Sequence, residues 1–527
     1  MAVVLSNVAY SQYSNDSHNP LVINPANNCA RSNVRIATTN DGHTFIVSDH
    51  MGAVENETIF ELSILDVKGN VKFNSYLFTF SESYTENNFN LIAFDDKALL
   101  SVGGKVFCIV KNNGNHSYFK LLFDEEEQPV GAASVDINDA GEIVYAIPTL
   151  EKLLVNKLSS DGDFALPFDV EIFGFNTMPK VRFNPDGSFY VVYKIYDKLY
   201  ADLYDKNCNM TWKGIYVAHE TGDDLSSNDE HQVIPDGQGG MYVIWKKGNI
   251  FVQRITSNED GNMGVRKFTD YGMALTEGTT ECYNPIASLD KNTNELNVIW
   301  RSQNQNTNSV NLQKITIDGE KKWGTNGIVV DESFLAYHNT PVAIGTTPDK
   351  IMLVFSKYNV TSQNYDLVYN RYSKNGEKQF QNNIDVNISK YERSSIVSTD
   401  FYDHQIVVAW SDSTEDNQIR TLAQNITYNG VIGNDSSSIE ETTSNYEMCV
   451  YPVPTNDDIN IKINSKHNTN ASVQIFDYLG KLLFEANNLE LNIGENVFMI
   501  NKKLPIGEYN MLINTTDEQV YQSIIVK

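Results

Sequence analysis

A short apolar run closed by an aromatic residue recurs along this chain. Val298-Ile299-Trp300 is its clearest copy, and Val191-Val192-Tyr193, Val243-Ile244-Trp245, Leu353-Val354-Phe355 and Val408-Ala409-Trp410 repeat it. The aromatics fall at 193, 245, 300, 355 and 410, a spacing of about 55 residues. Each run follows a first apolar stretch and a turn rich in Asp, Asn, Gly or Pro. Around Trp300 these are Pro285-Ile286-Ala287-Ser288-Leu289 and Asp290-Lys291-Asn292-Thr293-Asn294. A longer alternating stretch from Val310 to Ile317 follows, then an Asp318-Gly319 turn and a last stretch ending in Gly327-Ile328-Val329-Val330. Successive strand side chains point to opposite faces, and Gly admits the positive φ of tight turns, so this pattern predicts antiparallel hairpins.

The same grammar runs from about residue 30 to residue 433. Val34 to Ile36 with Asn40-Asp41-Gly42, Leu91 to Phe94, and Val135-Asp136-Ile137 with Asn138-Asp139-Ala140-Gly141 open the first three units. Val181 to Phe183 with Pro185-Asp186-Gly187, and Val233-Ile234 with Pro235-Asp236-Gly237, open the next two; Pro341 to Ile344 and Ile396-Val397-Ser398 open the last two. Four short antiparallel strands per unit resemble the blades of a β-propeller. One such blade cannot bury both of its faces, whereas blades packed radially cover one another and ring closure protects the inner edges. The expected fold is therefore all-β: residues 12–433 as a β-propeller of seven or eight four-stranded blades, then a small C-terminal β-sandwich. The count stays open because a blade split between the two ends of the repeat region would change it. In this reading the Trp residues are scaffold. Trp245, Trp300 and Trp410 are the recurring aromatic, and Trp212 and Trp323 take matching places in fourth strands.

Residues 434–448 break the pattern with a polar Ser/Thr/Glu-rich stretch, which reads as a linker. Beyond it come Val450-Tyr451-Pro452-Val453-Pro454-Thr455, then Asp477-Tyr478-Leu479-Gly480-Lys481, Gly494-Glu495-Asn496, Leu504-Pro505-Ile506-Gly507-Glu508-Tyr509 and a terminal Lys527. Alternating apolar positions between these motifs predict about seven short strands, enough for a small sandwich. Residues 449–527 resemble the type A C-terminal sorting domain of Bacteroidetes proteins exported by the type IX secretion system. That family opens on Tyr-Pro-Asn-Pro and carries Asp-x-x-Gly-Lys, Gly-x-Asn, Leu-x-x-Gly-x-Tyr and a final Lys. The match is residue by residue except that Val453 replaces Asn. The resemblance implies that Tyr451, Pro452, Pro454, Thr455, Asp477, Gly480, Lys481, Gly494, Asn496, Leu504, Gly507, Tyr509 and Lys527 form the sorting signal. It also implies passage through the periplasm to the outside of the cell or its surface. The implied partners are the outer-membrane translocon and its cargo-processing or attachment machinery.

At the other end, Ala2 to Leu5 followed by Ala9-Tyr10-Ser11 has the form of a signal peptide's apolar region and cleavage site, so 1–11 reads as a signal remnant cut after Ser11. No apolar run approaches the length of a membrane span. The five Cys residues lie far apart without CxxC spacing, which argues against zinc and against a disulfide framework. The formal charge of −27 argues against nucleic acid as a partner.

Candidate chemistry is sparse. No Gly-x-Ser-x-Gly or His-Glu-x-x-His motif is present. His219, Asp223, Asp224, Asp229 and His231 are the only metal candidate worth naming: hard oxygens suit calcium and the histidines a transition metal, but the spacing fits no loop motif. No other cofactor is expected. Tyr283, Tyr337 and Tyr402, in segments between units, are candidate ligand-binding aromatics. Together these features predict a non-catalytic surface adhesin or scaffold for protein or glycan, by analogy working beside gliding-motility or polysaccharide systems. The alternative is a polysaccharide-active hydrolase or lyase at the propeller channel.

Overall fold

A computed structural model describes residues 12–526, apart from 28–32, 52–56, 81–88, 122–127, 131–132, 161–163, 166–169, 174–175, 196–197, 219–230, 278–280, 335–338, 348, 389–392, 399–404, 417, 434–445, 452–458, 466–467, 477–481, 501, 506 and 516–518. The chain divides into two compact units, Met1–Asp435 and Ser436–Lys527.

The first unit is a propeller of eight blades. Blade 6 shows the plan: Glu281–Asp290, Glu295–Gln303, Thr307–Ile315 and Ile328–Phe334 pair in sequence order, all antiparallel. Blades 1 to 7 share this order, from an inner strand to an outer one. The inner strands touch in succession around the ring, beginning with Val34–Thr38 of blade 1, and Arg393–Ser398 of blade 8 touches that strand again. The eighth blade is the one split between distant parts of the chain. Its inner three strands are Arg393–Ser398, Gln405–Ser413 and Ile419–Thr427, and its outer strand is Leu21–Asn27, from the N-terminal side.

The recurring apolar run is continuous because second strands are covered on both faces. Val298 and Trp300 enter the cluster between blades 5 and 6, whereas Ile299 enters the one between blades 6 and 7. Eight apolar clusters fill the eight seams in this manner. The aromatics occupy equivalent places in them. Trp300, Phe355 and Trp410 are 0 % exposed, and Tyr193 and Trp245 4 %. Trp212 lies in the fourth strand Met210–Tyr216, as expected, with its Nε1 donating to Ser257 Oγ at 3.1 Å. Trp323 does not lie in a strand. It sits in the connection between Thr307–Ile315 and Ile328–Phe334, where an isolated bridge joins Ile315 to Lys321.

That connection has a packing role. A Cβ on Gly376, in the matching turn of blade 7, would come within 2.8 Å of Trp323 Nε1, so the ring of one blade lies on the glycine of the next. Tyr13 repeats the contact at the closing seam. A Cβ on Gly69 in blade 1 would meet its ring at 2.6 Å, and Tyr13 N donates to Lys68 O at 3.2 Å. Both glycines have φ above +80°, a region that side chains with a Cβ disfavour. Tyr13 thus does for blade 1 what Trp323 does for blade 7.

The second unit holds seven strands in two antiparallel sheets. The first orders Tyr446–Tyr451, Ile459–Ser465 and Gly494–Ile500; the second orders Leu482–Leu491, Thr469–Phe476, Gly507–Thr515 and Gln519–Val526. Ile459, Ile461 and Ile463 of one sheet share a cluster with Val473, Ile475 and Met511 of the other, as alternation predicts for two half-buried sheets. Its first strand begins at Tyr446, ahead of the boundary at 449.

Candidate functional site

The antiparallel order divides the connections between two faces of the ring. Turns joining first to second and third to fourth strands lie on one face; turns joining second to third strands, with the crossings between blades, lie on the other.

The first face is built of turns that cap themselves. Asp66 Oδ1 accepts from Lys68 N at 3.0 Å and Asn70 N at 2.9 Å, and Asp205 Oδ1 accepts from Asn207 N and Asn209 N, both at 2.8 Å. Asp236 repeats the arrangement with Gln238 N at 2.7 Å and Gly240 N at 2.8 Å, and binds Arg254 Nε at 2.7 Å. These carboxylates are occupied by their own backbone, the usual function of Asp in such turns. Much of the acidic signal in the repeats is turn chemistry.

On the second face the crossings between blades differ in length: residues 174–175 separate Val170–Phe173 from Asn176–Phe183, and residues 217–230 separate Met210–Tyr216 from His231–Pro235. Aromatic side chains cluster at this end of the strands. Tyr193 and Tyr200 stack at 5.8 Å, Tyr200 and Tyr216 lie 4.8 Å apart, and Tyr358 meets Tyr365 edge-on at 5.2 Å. Tyr283 stands near the start of the inner strand of blade 6, directly opposite Arg301 in register. Its hydroxyl donates to Glu281 Oε2, which raises its pKa. Arg301 Cζ lies 4.4 Å from the centre of the Tyr283 ring, and Lys246 Nζ, from blade 5, 4.9 Å. Tyr283 is therefore half-buried between two cations and is not a bare platform. Its two companions, Tyr337 and Tyr402, lie outside the described residues.

His231 opens the inner strand of blade 5, opposite Trp245, and is 2 % exposed. Burial first, then the charges of Lys180, Lys194 and Arg182, push its pKa down to about 3, so it is neutral across the physiological range. His219, Asp223, Asp224 and Asp229 lie outside the described residues. Among the described residues no three His, Cys, Asp or Glu side chains gather as metal ligands. Cys108, Cys208 and Cys282 are free and buried, and burial pushes the Cys108 thiol up to about 12.

In the second unit the described signature residues hold turns and edges. Asn496 Oδ1 accepts from Asn492 N at 2.9 Å, while its Nδ2 donates to Asn492 O at 2.7 Å and Gly494 O at 2.9 Å. Tyr509 is 7 % exposed, and its hydroxyl donates to Pro505 O at 2.7 Å. Leu504 packs against the shared core, Gly507 pairs with Val526, and Tyr451 ends its strand opposite Asn460. Pro452, Pro454, Thr455, Asp477, Gly480, Lys481 and Lys527 lie outside the described residues.

Comparison with known families decides what this unit is: residues 449–527 match the family described as secretion system C-terminal sorting domain. The chain is a type IX secretion cargo. The sorting domain directs it to the extracellular space or the cell surface, and engages the secretion machinery. No helix long and apolar enough to cross a membrane is present among the described residues.

No curated protein matches the sequence. Among solved structures, Sqt1 from Saccharomyces cerevisiae aligns at 9 % identity over 77 % of this chain and 99 % of its own, with a TM-score of 0.43. The β-propeller domain of the trilobed protease from Pyrococcus furiosus aligns at 12 % identity over 67 % and 96 %, TM-score 0.35. The acylaminoacyl peptidase from Pyrococcus horikoshii aligns at 8 % identity over 82 % and 58 %, TM-score 0.37. The blade count comes from this chain's own strand pairing.

Proposed function

We propose that the exported propeller is a non-catalytic adhesin or binding scaffold at the cell surface, and that it engages protein or glycan on the face carrying the crossings between blades. One observation carries this reading: on the crossing face the Tyr283 ring is flanked by cations from two blades, Arg301 at 4.4 Å and Lys246 at 4.9 Å. On the opposite face Asp66, Asp205 and Asp236 are held by backbone amides of their own turns. On the crossing face stand aromatic and cationic side chains from several blades, Tyr216, Tyr283, Lys246 and Arg301 among them. Aromatic and Arg side chains at the ends of strands, held by a rigid scaffold, suit protein and glycan recognition. Calcium belongs to this proposal only as a ligand of the segment around His219 and Asp229.

Purified full-length chain on glycan and surface-protein arrays should bind a restricted set of ligands. Binding should fall when Tyr216 and Tyr283 are both changed to Ala, while the melting temperature moves little. Turnover of a polysaccharide by the same preparation would refute the non-catalytic reading.

A further inference from the structure

Arg301 is an unusual cation in this chain. Sixty-seven acidic residues face forty basic ones, yet Arg301 has no carboxylate partner and no hydrogen-bond acceptor among the described residues. Several cations have carboxylates, Arg254 with Asp236 at 2.7 Å, Arg420 with Asp412 at 2.7 Å, Lys374 with Asp290 at 2.6 Å and Lys357 with Asp331 at 2.6 Å, while Arg371 and Arg393 hydrogen-bond to carbonyl oxygens instead. The Nε of Arg301 is buried without an acceptor, a costly arrangement for a charged donor unless a ligand completes it. Glu281, in the same strand as Tyr283, is engaged by the Tyr283 hydroxyl. Cations also stand at the matching place in the two preceding blades: Lys194, Lys246 and Arg301 each follow the recurring aromatic.

We infer that Arg301, held on the Tyr283 ring beside Lys246, is the binding site for the carboxylate of a single acidic sugar, a hexuronate, with exposed Glu281 accepting that sugar's hydroxyl groups. The inference rests on the proposed use of the crossing face. A planar carboxylate matches the guanidinium fork, and a hexuronate carries one such group among neutral hydroxyls. Glu281 discriminates against the other sources of a carboxylate. It would repel a second negative charge, as on an acidic peptide, but can accept from hydroxyls. The overall charge of −27 disfavours a dianionic phosphate in the same way. Tyr283 fixes the guanidinium plane by cation–π contact, which limits the rotamer entropy lost on binding.

The test is calorimetric titration of the full-length chain with glucuronate and galacturonate oligomers, with neutral oligomers of the same linkage and with a Glu-containing peptide. One of the uronate oligomers should bind, the neutral oligomer and peptide should not, and R301Q should weaken binding at least about tenfold. Raising salt should weaken it further. A thermal melt checks that R301Q is folded, and K246Q, expected to weaken binding several-fold, serves if it is not. Equal binding of neutral oligomer, preference for the peptide, or unchanged affinity in R301Q would overturn the uronate site. If arrays show glycan or protein binding that R301Q leaves intact, this site falls while the crossing face keeps its proposed role. If the arrays show no binding at all, both fall.

Discussion

At the scale of single residues, the same side chain means different things according to what surrounds it. Asp66, Asp205 and Asp236 are turn caps, and of these Asp236 was legible in the sequence, from the Pro235-Asp236-Gly237 turn. Asp202 could not be read so. It lies in the third strand of blade 4, 1 % exposed, where Tyr193 donates to it at 3.2 Å and Gly214 N at 2.6 Å, and no cation pairs with it among the described residues. Burial outweighs these donors and raises its pKa from 3.8 to about 6. Between these values the folded chain keeps a proton that the unfolded chain has released. The contribution of the protonated form is intact below about pH 4 and is lost as pH rises through about 6. Asp202→Asn keeps an acceptor for Gly214 N and removes the charge. It should stabilise the propeller at pH 7 to 8 by on the order of 2–3 kcal/mol and flatten the stability profile between about pH 4 and 6. Identical pH profiles for variant and parent in chemical denaturation would refute this account. The Trp residues were the opposite case, since their recurrence identified them as packing groups before any contact was known. Only Trp323 was misplaced, because a ring lying on the next blade's glycine has the spacing of a strand residue without being in one.

At the scale of elements, the strands were legible and their partners were not. Alternation and Asp-Gly turns locate hairpins locally, but the pairing of Leu21–Asn27 with Ile419–Thr427 joins segments far apart in sequence and leaves no local signal. The N-terminal segment is more than a fourth strand. Ser14 O accepts from Gln424 Nε2 at 2.8 Å and Ser17 O from Ile388 N at 2.9 Å, while Tyr13 enters the seam with blade 1. This clasp ties blades 7, 8 and 1 together. Tyr13→Ala should cost about 3–5 kcal/mol as a buried aromatic truncation, against near zero for the exposed Tyr118→Ala. Deleting residues 12–27 should do worse. It strips an edge strand and exposes the cluster of Val407, Ala409 and Ala423, so the product should aggregate in size-exclusion chromatography. A monomeric, cooperatively melting deletion variant would show that the ring closes without its clasp.

For the whole molecule, export belongs to the second unit, and the recognition proposed above would belong to the first. The sorting domain carries the address, and within it Asn496 and Tyr509 hold turns. Truncation after residue 448 should therefore leave the propeller folded and confine it within the cell envelope, as measured by immunoblotting culture supernatant and cell fractions. Appearance of the truncated chain outside would contradict the assignment. The sequence by itself determined the strand grammar, the blade period, the buried role of the recurring aromatics and the export signal, because all of these are written in local periodicity and motif. The tertiary structure alone decided that there are eight blades and that the last is closed by the N-terminal strand. It alone also left Arg301 without a carboxylate while covering Tyr283 with cations. Those outcomes depend on which side chains from different blades meet, and a single strand's pattern does not encode them.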